Sequence, residues 1–260
     1  MFFREIQFPL RTLDQYNQDI SKLSGLPLGQ HYHGVKNTCD LNQLKYWKSV
    51  ENWINVCFHT VLEGMANDVI GSVLFALNAD GIISLKQVNQ RILFFSALFV
   101  VDKKYKPCHL NKFKTPGEGL SPKPGAAQMW CLLRFLPLML SDLIEVDNKY
   151  WKLFVLFQEI ADIIFSPIIY ESTLLHFEEL YADFLSRFKA LFPNVNIKPK
   201  YHFLVHFRTM VRKNGPPKTY WIFNYERMNG AIKIPSRVIN NFKNPAKTLA
   251  YRRQSTALHH

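Results

Sequence analysis

The sequence predicts a mainly α-helical bundle with few or no strands. Apolar residues recur at helical spacing in several separate segments, whereas the strict alternation of apolar and polar residues that is typical of strands is scarce. The chain has 260 residues, 48% of them hydrophobic and 14% aromatic, so it can bury a real core and wholesale disorder is not expected. We expect about six helices in the body of the protein.

The N-terminal part of the chain, residues 1–57, is expected to be irregular and polar apart from one short helix at 12–23. Asp14 and Asp19 suit the N-terminal half of that helix, because a negative charge is stabilised near the positive end of the helix dipole. The stretch at 24–29 contains two glycines and a proline, which end the helix.

The body of the protein, residues 58–214, is expected to be a helical domain. Its first helix is predicted at 58–78 from apolar residues at 3.6 spacing, and its second, at 84–100, begins with a Ser-x-x-Gln capping box. The same periodicity and the turn residues between segments predict four more helices, at 125–144, 147–166, 169–191 and 200–213. Pro137 is expected to bend the first of these four.

Two other segments are predicted to be mostly non-helical. Residues 102–124 form a Lys-rich loop with several prolines and glycines, and a connection this long is often functional or mobile. Residues 215–260 form a basic C-terminal segment, in which a helix at 225–233 carries Glu226. The remainder of that segment contains Asn and Pro and is expected to be loosely ordered.

Targeting signals and cysteine spacing suggest a nuclear or cytoplasmic protein without membrane contact. Arg4 and Glu5 stand where the apolar part of a secretory signal would run, and no apolar run has the length of a membrane span. The four cysteines show no C-x2-C pair of the kind that zinc fingers use. We expect free thiols, with Cys57 and Cys131 buried as small apolar residues.

Positive charge is concentrated at the C-terminal end. From Lys198 to His260 there are 13 Lys and Arg against one acidic residue, Glu226, and this net charge of +12 equals that of the whole chain. A neutral body with one basic end predicts a polyanion partner, and we expect DNA that is bound without sequence specificity. The residues predicted to contact DNA are Lys200, Arg208, Arg212, Lys213, Lys218, Arg227, Lys233 and Arg237.

Within the basic stretch, Glu226 has two interpretations. It can form a solvated and weak ion pair with a neighbouring cation such as Arg227. It can instead bind Mg²⁺ beside a phosphodiester, although sites of that kind hold two ions with three or four carboxylates. Composition does not choose between them. Four flanking aromatic residues can seat a helix or stack on bases, namely Tyr220, Trp221, Phe223 and Tyr225.

Two pairs at i, i+4 spacing contain histidine. His59 and Glu63 can supply two metal ligands, or the carboxylate can orient the imidazole, or the two can simply satisfy each other at a helix start. His202 and His206 have the two-His spacing of zinc hydrolases, but Phe203 stands where those enzymes carry their general base. We expect the second pair to serve packing and hydrogen bonding.

A co-linear series of short strings runs along the chain. They are YHGVKNTCDLN at 32–42, LKYW at 44–47, FHTVLEG at 58–64, AQMWCLLR at 127–134, KPKYHFLVHF at 198–207, NGP at 214–216, YER at 225–227, NFKN at 241–244 and TLAYR at 248–252. No single string is specific, but their order resembles the C-terminal half of animal transposase-like proteins related to the CACTA (En/Spm) DDE transposases. The resemblance spans about residues 30–254.

The resemblance implies an RNase H-like core with a mostly helical insertion before the last catalytic helix. By the same resemblance, His59 corresponds to the histidine of the family's Asp/Cys-x2-His motif, Glu226 to the third catalytic carboxylate, and Lys233 to a residue that faces DNA. The chain departs from the family at Val56, which replaces the first residue of that motif. The two catalytic aspartates of the family lie upstream, and residues 1–30 contain no counterpart of them.

These features support three functional hypotheses. The first is a transposase-derived fragment, catalytically inactive and without metal or small-molecule cofactor, that binds DNA through its basic C-terminal region. The second is one part of an active Mg²⁺-dependent DDE transposase, in which Glu226 holds metal only together with aspartates from a separate N-terminal portion, because one carboxylate cannot hold two metal ions beside phosphate. The third is a helical interaction module whose basic tail binds an acidic protein.

Overall fold

The computed structural model describes residues 5–23, 25–27, 29–54, 56–98, 105–220 and 243–257. These residues are mainly helical and include one two-stranded hairpin, which confirms the prediction of a helical protein with few strands. The chain divides into two compact units, Met1–Lys218 and Thr219–His260, which are termed the first and second units.

The predicted helices of the body all occur in the first unit. Each corresponds to one observed helix, except that 200–213 is divided into two. The described elements of the first unit are α1 (Leu13–Leu23), a π-helical segment (Phe58–Met65), α2 (Ala66–Ala79), α3 (Leu85–Leu98), β1 (Lys112–Phe113), β2 (Leu120–Ser121), α4 (Ala126–Leu140), α5 (Lys149–Ile164), α6 (Glu171–Leu191), α7 (Pro199–Phe203) and α8 (Phe207–Asn214). The described helix of the second unit is α9 (Pro245–Ala257).

The centre of the core is the helix that begins as the π-helical segment and continues as α2. Most of its apolar side chains are buried, and Val61, Met65, Ile70 and Leu74 are fully buried. The helix contacts α4, α5 and α7. Length and composition alone would suit this helix to crossing a membrane. However, 83% of its most apolar window is buried inside the protein, as is usual for a core helix.

Aromatic side chains join the C-terminal helices of the first unit around α6. Phe184 lies 5.2 Å from Phe157 of α5, and Phe177 lies 4.2 Å from Phe207 of α8, measured between ring centroids. Such pairs contribute about 0.5–1.5 kcal/mol each beyond the area they bury. They place the basic residues of α8 beside the acidic residues of α6.

Several local signals in the sequence act as predicted. The Ser84 amide donates to Gln87 Oε1 (2.8 Å) and the Gln87 amide to Ser84 Oγ (3.3 Å), so the capping box before α3 is formed. Helix α4 contains Pro137 in its interior, and the bend expected there stays a prediction. Cys57 and Cys131 are buried, and burial raises the pKa of the Cys57 thiol to about 12, so it stays protonated at neutral pH.

Two local predictions were wrong. The loop at 102–124 contains the antiparallel hairpin of β1 and β2, in which Lys112 pairs with Ser121. The C-terminal residues expected to be loosely ordered include α9. Its start has a physical explanation, because Asn244 Oδ1 accepts from the Lys247 amide (3.0 Å) and a proline in the first helical position loses no hydrogen bond.

Candidate nucleic-acid interface

Part of the predicted site lies outside the described residues. Glu226, the candidate catalytic carboxylate, belongs to this group together with the predicted DNA contacts Arg227, Lys233 and Arg237. The predicted helix at 225–233 falls in the same range. The interface is therefore built below from the remaining predicted residues and from cations that sequence reasoning did not single out.

Arg208 and Arg212 of α8 are paired with carboxylates of α6. Arg208 Nη2 lies 2.8 Å from Glu171 Oε1 and its Nη1 lies 3.0 Å from Glu178 Oε2, while Arg212 Nε donates to Glu171 Oε2 at 3.0 Å. Hydrogen bonds from Arg212 and then from Arg208 lower the pKa of Glu171 to about 2. Both arginines consequently join α8 to α6, and their charge is balanced within the protein.

Lys200 is also engaged inside the first unit. Its Nζ donates to the His59 carbonyl at 3.0 Å, and its side chain fills the space that a Cβ at Gly64 would need. The lysine thereby ties α7 to the π-helical segment. Its charge is retained, but its position is fixed by an internal contact.

Lys213 and Lys218 are exposed and form no ion pair with the described residues. Three further cations are exposed in the described part of the second unit: Lys243, Lys247 and Arg252. Within α9, Lys247 Nζ lies 5.9 Å from the centroid of the Tyr251 ring, and that ring is 61% exposed. An exposed cation beside an exposed aromatic ring suits both phosphate binding and base stacking.

His59 and Glu63 are in direct contact. The Nδ1 of the histidine lies 2.7 Å from Oε2 of the glutamate, and both side chains are partly exposed. This geometry suits a carboxylate that orients an imidazole and equally a pair that satisfies itself. Within the described ranges, no group of three or more His, Cys, Asp or Glu side chains could hold a metal ion.

His202 and His206 pack and form hydrogen bonds, as expected. Their rings meet edge to face at 5.1 Å between centroids, and the buried His206 Nδ1 lies 3.2 Å from Glu5 Oε1. The ring of His202 packs against Phe8 at 5.2 Å, and burial together with the neighbouring histidine lowers its pKa. The pair therefore holds the N-terminal segment against α7 and the turn that follows it.

An ion pair between the buried Asp68 of α2 and the exposed Lys198 escaped the sequence analysis. Asp68 is 4% exposed, and its Oδ2 lies 2.7 Å from Nζ of Lys198, which also donates to the Gly117 carbonyl at 2.9 Å. Burial raises the pKa of Asp68, and Lys198 offsets this only in part. The available signal was a set of polar residues in an otherwise apolar helix: Asn67, Asp68 and Ser72.

An open groove of about 900 Å³ lies between α5 and α6. Glu159 Oε1 lies 3.3 Å from His176 Nε2 in its wall, and burial raises the pKa of Asp162 there. These groups do not assemble into a nucleophile with its base. The groove therefore gives no reaction that can be derived from its side chains.

Comparisons with known proteins give no match: no protein-family model, no curated protein and no solved structure matches the chain. The resemblance to CACTA-like transposases therefore depends on the short strings given above. The role of the chain depends on the charges and contacts of its own residues.

Proposed function

We propose that this chain is a transposase-derived protein that binds DNA without sequence specificity through its basic C-terminal unit. The observation that carries the proposal is where its charge lies. The second unit, Thr219–His260, contains seven Lys and Arg and a single acidic residue, Glu226. A compact unit of this composition gains its affinity from the release of counterions that phosphates had held.

The surface chemistry of α9 supports the same conclusion. The helix contains no acidic residue, and Lys247 and Arg252 are exposed on it. Lysine and arginine contacts to phosphate carry no base information, so such a helix binds the duplex backbone regardless of sequence. Tyr251 adds an exposed ring that can stack on unpaired bases.

The proposal includes no strand-transfer activity for this chain by itself. Two-metal phosphodiester chemistry needs several carboxylates close together, and Glu226 is the sole acid of its unit. In the first unit, Val56 cannot ligate or hydrogen bond through its side chain at the position of the family's Asp/Cys-x2-His motif. The helical body is of the kind that the family inserts before its last catalytic helix, which supports a transposase origin.

The test is a titration of the full chain against a fluorescent DNA duplex of random sequence at several salt concentrations. We expect the logarithm of affinity to fall linearly with the logarithm of salt, with a slope of about −0.9 per phosphate contact. Neutralising Lys243→Gln, Lys247→Gln and Arg252→Gln together should reduce the slope by up to about 2.7. A flat salt dependence, or no binding at low salt, would refute the proposal.

A matched control removes the same charge elsewhere. Lys45, Lys86 and Lys149 are exposed residues of the first unit, and their joint change to Gln should leave the slope nearly unchanged. An equal loss in both triple variants would mean that net charge alone governs binding. Mg²⁺-dependent nicking of the duplex that disappears in Glu226→Gln would favour the active-transposase alternative.

A further inference from the structure

The long connection between α3 and α4 carries a concentrated set of lysines. The segment 105–124, termed the lysine hairpin, contains the strands β1 and β2 and a single acidic residue, Glu118. Its lysines are Lys106, Lys112, Lys114 and Lys123. It lies wholly within the first unit, so its charge is distinct from that of the C-terminal unit.

Backbone atoms of the lysine hairpin are held by side chains of α2 and α3. Asn89 both accepts from the Leu110 amide and donates to the Leu110 carbonyl, each at 2.8 Å. Asn67 Oδ1 accepts from the Leu120 amide at 3.1 Å. Three buried amide and carbonyl groups of a non-helical segment are thereby satisfied, as burial requires.

The turn between the strands has two further attachments. Ser72 Oγ accepts from the Gly117 amide at 3.0 Å, and Lys198 Nζ donates to the Gly117 carbonyl at 2.9 Å. A Cβ at Gly71 would lie 2.7 Å from the backbone of Gly119, so α2 and the turn approach as closely as two glycines allow. These contacts fix the backbone of the lysine hairpin in the protein without a bound partner.

Its lysine side chains are not used for this attachment. Lys112 and Lys123 are exposed and Lys114 is partly exposed. None of the three forms an ion pair with a residue that the structure describes. The hydrogen bond that Thr115 Oγ1 donates to the carboxylate of Glu118 lowers the pKa of Glu118, and the charges of Lys114 and Lys112 lower it further. The result is a fixed backbone with unpaired cations.

Lys198 and Lys200 extend the same positive surface. Both act electrostatically on the buried carboxylate of Asp68, and so does Lys123 of the lysine hairpin. Lys198 contacts Asp68 directly, Lys200 Nζ bonds to the His59 carbonyl in the π-helical segment that leads into α2, and Lys123 belongs to the lysine hairpin. A single buried carboxylate, paired with Lys198, does not balance the three charges.

We infer that the lysine hairpin is a second contact for the DNA backbone, built into the first unit. A phosphodiester chain suits it because unpaired lysines act as point charges toward phosphate, and because the fixed backbone leaves little ordering entropy to lose on binding. An acidic protein suits it less, since Leu110 and Leu120 are buried and leave no aliphatic centre for a protein interface. The inference deepens the proposed function and rests on its claim that the chain binds DNA.

The experiment compares the full chain with Lys112→Gln/Lys114→Gln/Lys123→Gln in the same salt titration against duplex DNA. We expect the variant to bind roughly tenfold or more weakly at low salt, with a slope smaller by about 2.7. The thermal midpoint should change only slightly, because none of the three side chains forms an ion pair with a described residue and only Lys123 acts electrostatically on Asp68. Glu118→Gln should act in the opposite direction and raise affinity, since it removes the one acid of the hairpin.

The outcomes separate this inference from the proposed function. If the C-terminal triple variant weakens binding and the hairpin variant does not, the inference is wrong and the proposed function stands. If the hairpin variant alone weakens binding, the hairpin site stands and the C-terminal unit is not the DNA contact. The inference is overturned if neither Glu118→Gln nor the triple hairpin variant changes the affinity for DNA. It is also overturned if the unmodified chain does not bind DNA.

Discussion

The arginines of α8 and the lysines of the lysine hairpin carry the same sign of charge in the same unit, but their surroundings are opposite. Arg208 and Arg212 bond to Glu171 and Glu178, and their work is to hold two helices together. The hairpin lysines have no carboxylate partner among the described residues, while the backbone that carries them is fixed. Whether a lysine or arginine can bind an external anion therefore depends on which carboxylates lie beside it in the folded protein.

The largest effect is expected where the lysine hairpin is attached through the ion pair of Asp68 with Lys198. Lys198→Met leaves the buried carboxylate of Asp68 without its partner and removes one bond to Gly117, and should lower the free energy of unfolding by about 3 kcal/mol at pH 7. The double variant Lys198→Met/Asp68→Asn should recover part of this loss, because no buried charge remains. Chemical denaturation measures both, and an equal loss in the single and double variants would contradict the assignment.

This loss should depend on pH in a defined direction. The pKa of Asp68 is raised above its ordinary value of 3.8 in the folded protein. At pH values above 3.8 the Asp68 carboxyl therefore binds a proton more readily in the folded protein than in the unfolded chain. Stability from this group therefore falls as pH rises through that window. Without Lys198 the pKa rises further, so the deficit of Lys198→Met should shrink as the pH is lowered toward 4.

A somewhat smaller effect is expected at the close approach of α2 and the hairpin turn. Gly71→Ala places a methyl group against the backbone of Gly119 and should cost about 2 kcal/mol of unfolding free energy. Gly25→Ala is the control, since the nearest atom to a Cβ there is 3.9 Å away. If the lysine hairpin contacts DNA, Gly71→Ala should also bind DNA more weakly. Equal stability of Gly71→Ala and Gly25→Ala would show that α2 and the hairpin turn are not in tight contact.

The smallest change in stability is expected where Arg208 and Arg212 of α8 pair with Glu171 of α6. Variants there test most directly the difference between the paired arginines and the unpaired lysines. Glu171→Gln should lower the thermal midpoint only slightly, because the carboxylate is half exposed. Since the pKa of Glu171 is depressed to about 2, its contribution is present above pH 4.5 and lost as the pH falls toward 2. The midpoints of variant and unmodified protein should converge across that range.

A double variant of the same carboxylates tests whether their ion pairs keep the two arginines from binding DNA. With Glu171→Gln/Glu178→Gln the guanidinium groups of α8 lose their partners, and DNA affinity at low salt should rise severalfold. The paired variant Arg208→Gln/Arg212→Gln should leave affinity nearly unchanged. If Arg208→Gln/Arg212→Gln binds DNA more weakly, the two arginines contact DNA, as the sequence analysis predicted.

The helices were predictable because each depends on neighbours in the chain. The periodic apolar faces of α5 and α6 and the Ser-x-x-Gln box before α3 are local signals, and the structure follows them. Helix α9 was missed although the Asn-Pro start was visible, because its basic and polar composition outweighed that signal. The hairpin was missed because its attachment to α2 comes from side chains about 50 residues away in the sequence.

The sequence by itself determined the helical class, the order of the helices and the concentration of positive charge toward the C-terminus. These follow from local periodicity and from counting, and no contact is needed to read them. Only the tertiary structure decided which cations are free. Asp68 and Lys198 are 130 positions apart and Glu171 and Arg212 are 41 apart, and such partners meet only because packing of the apolar faces brings them together.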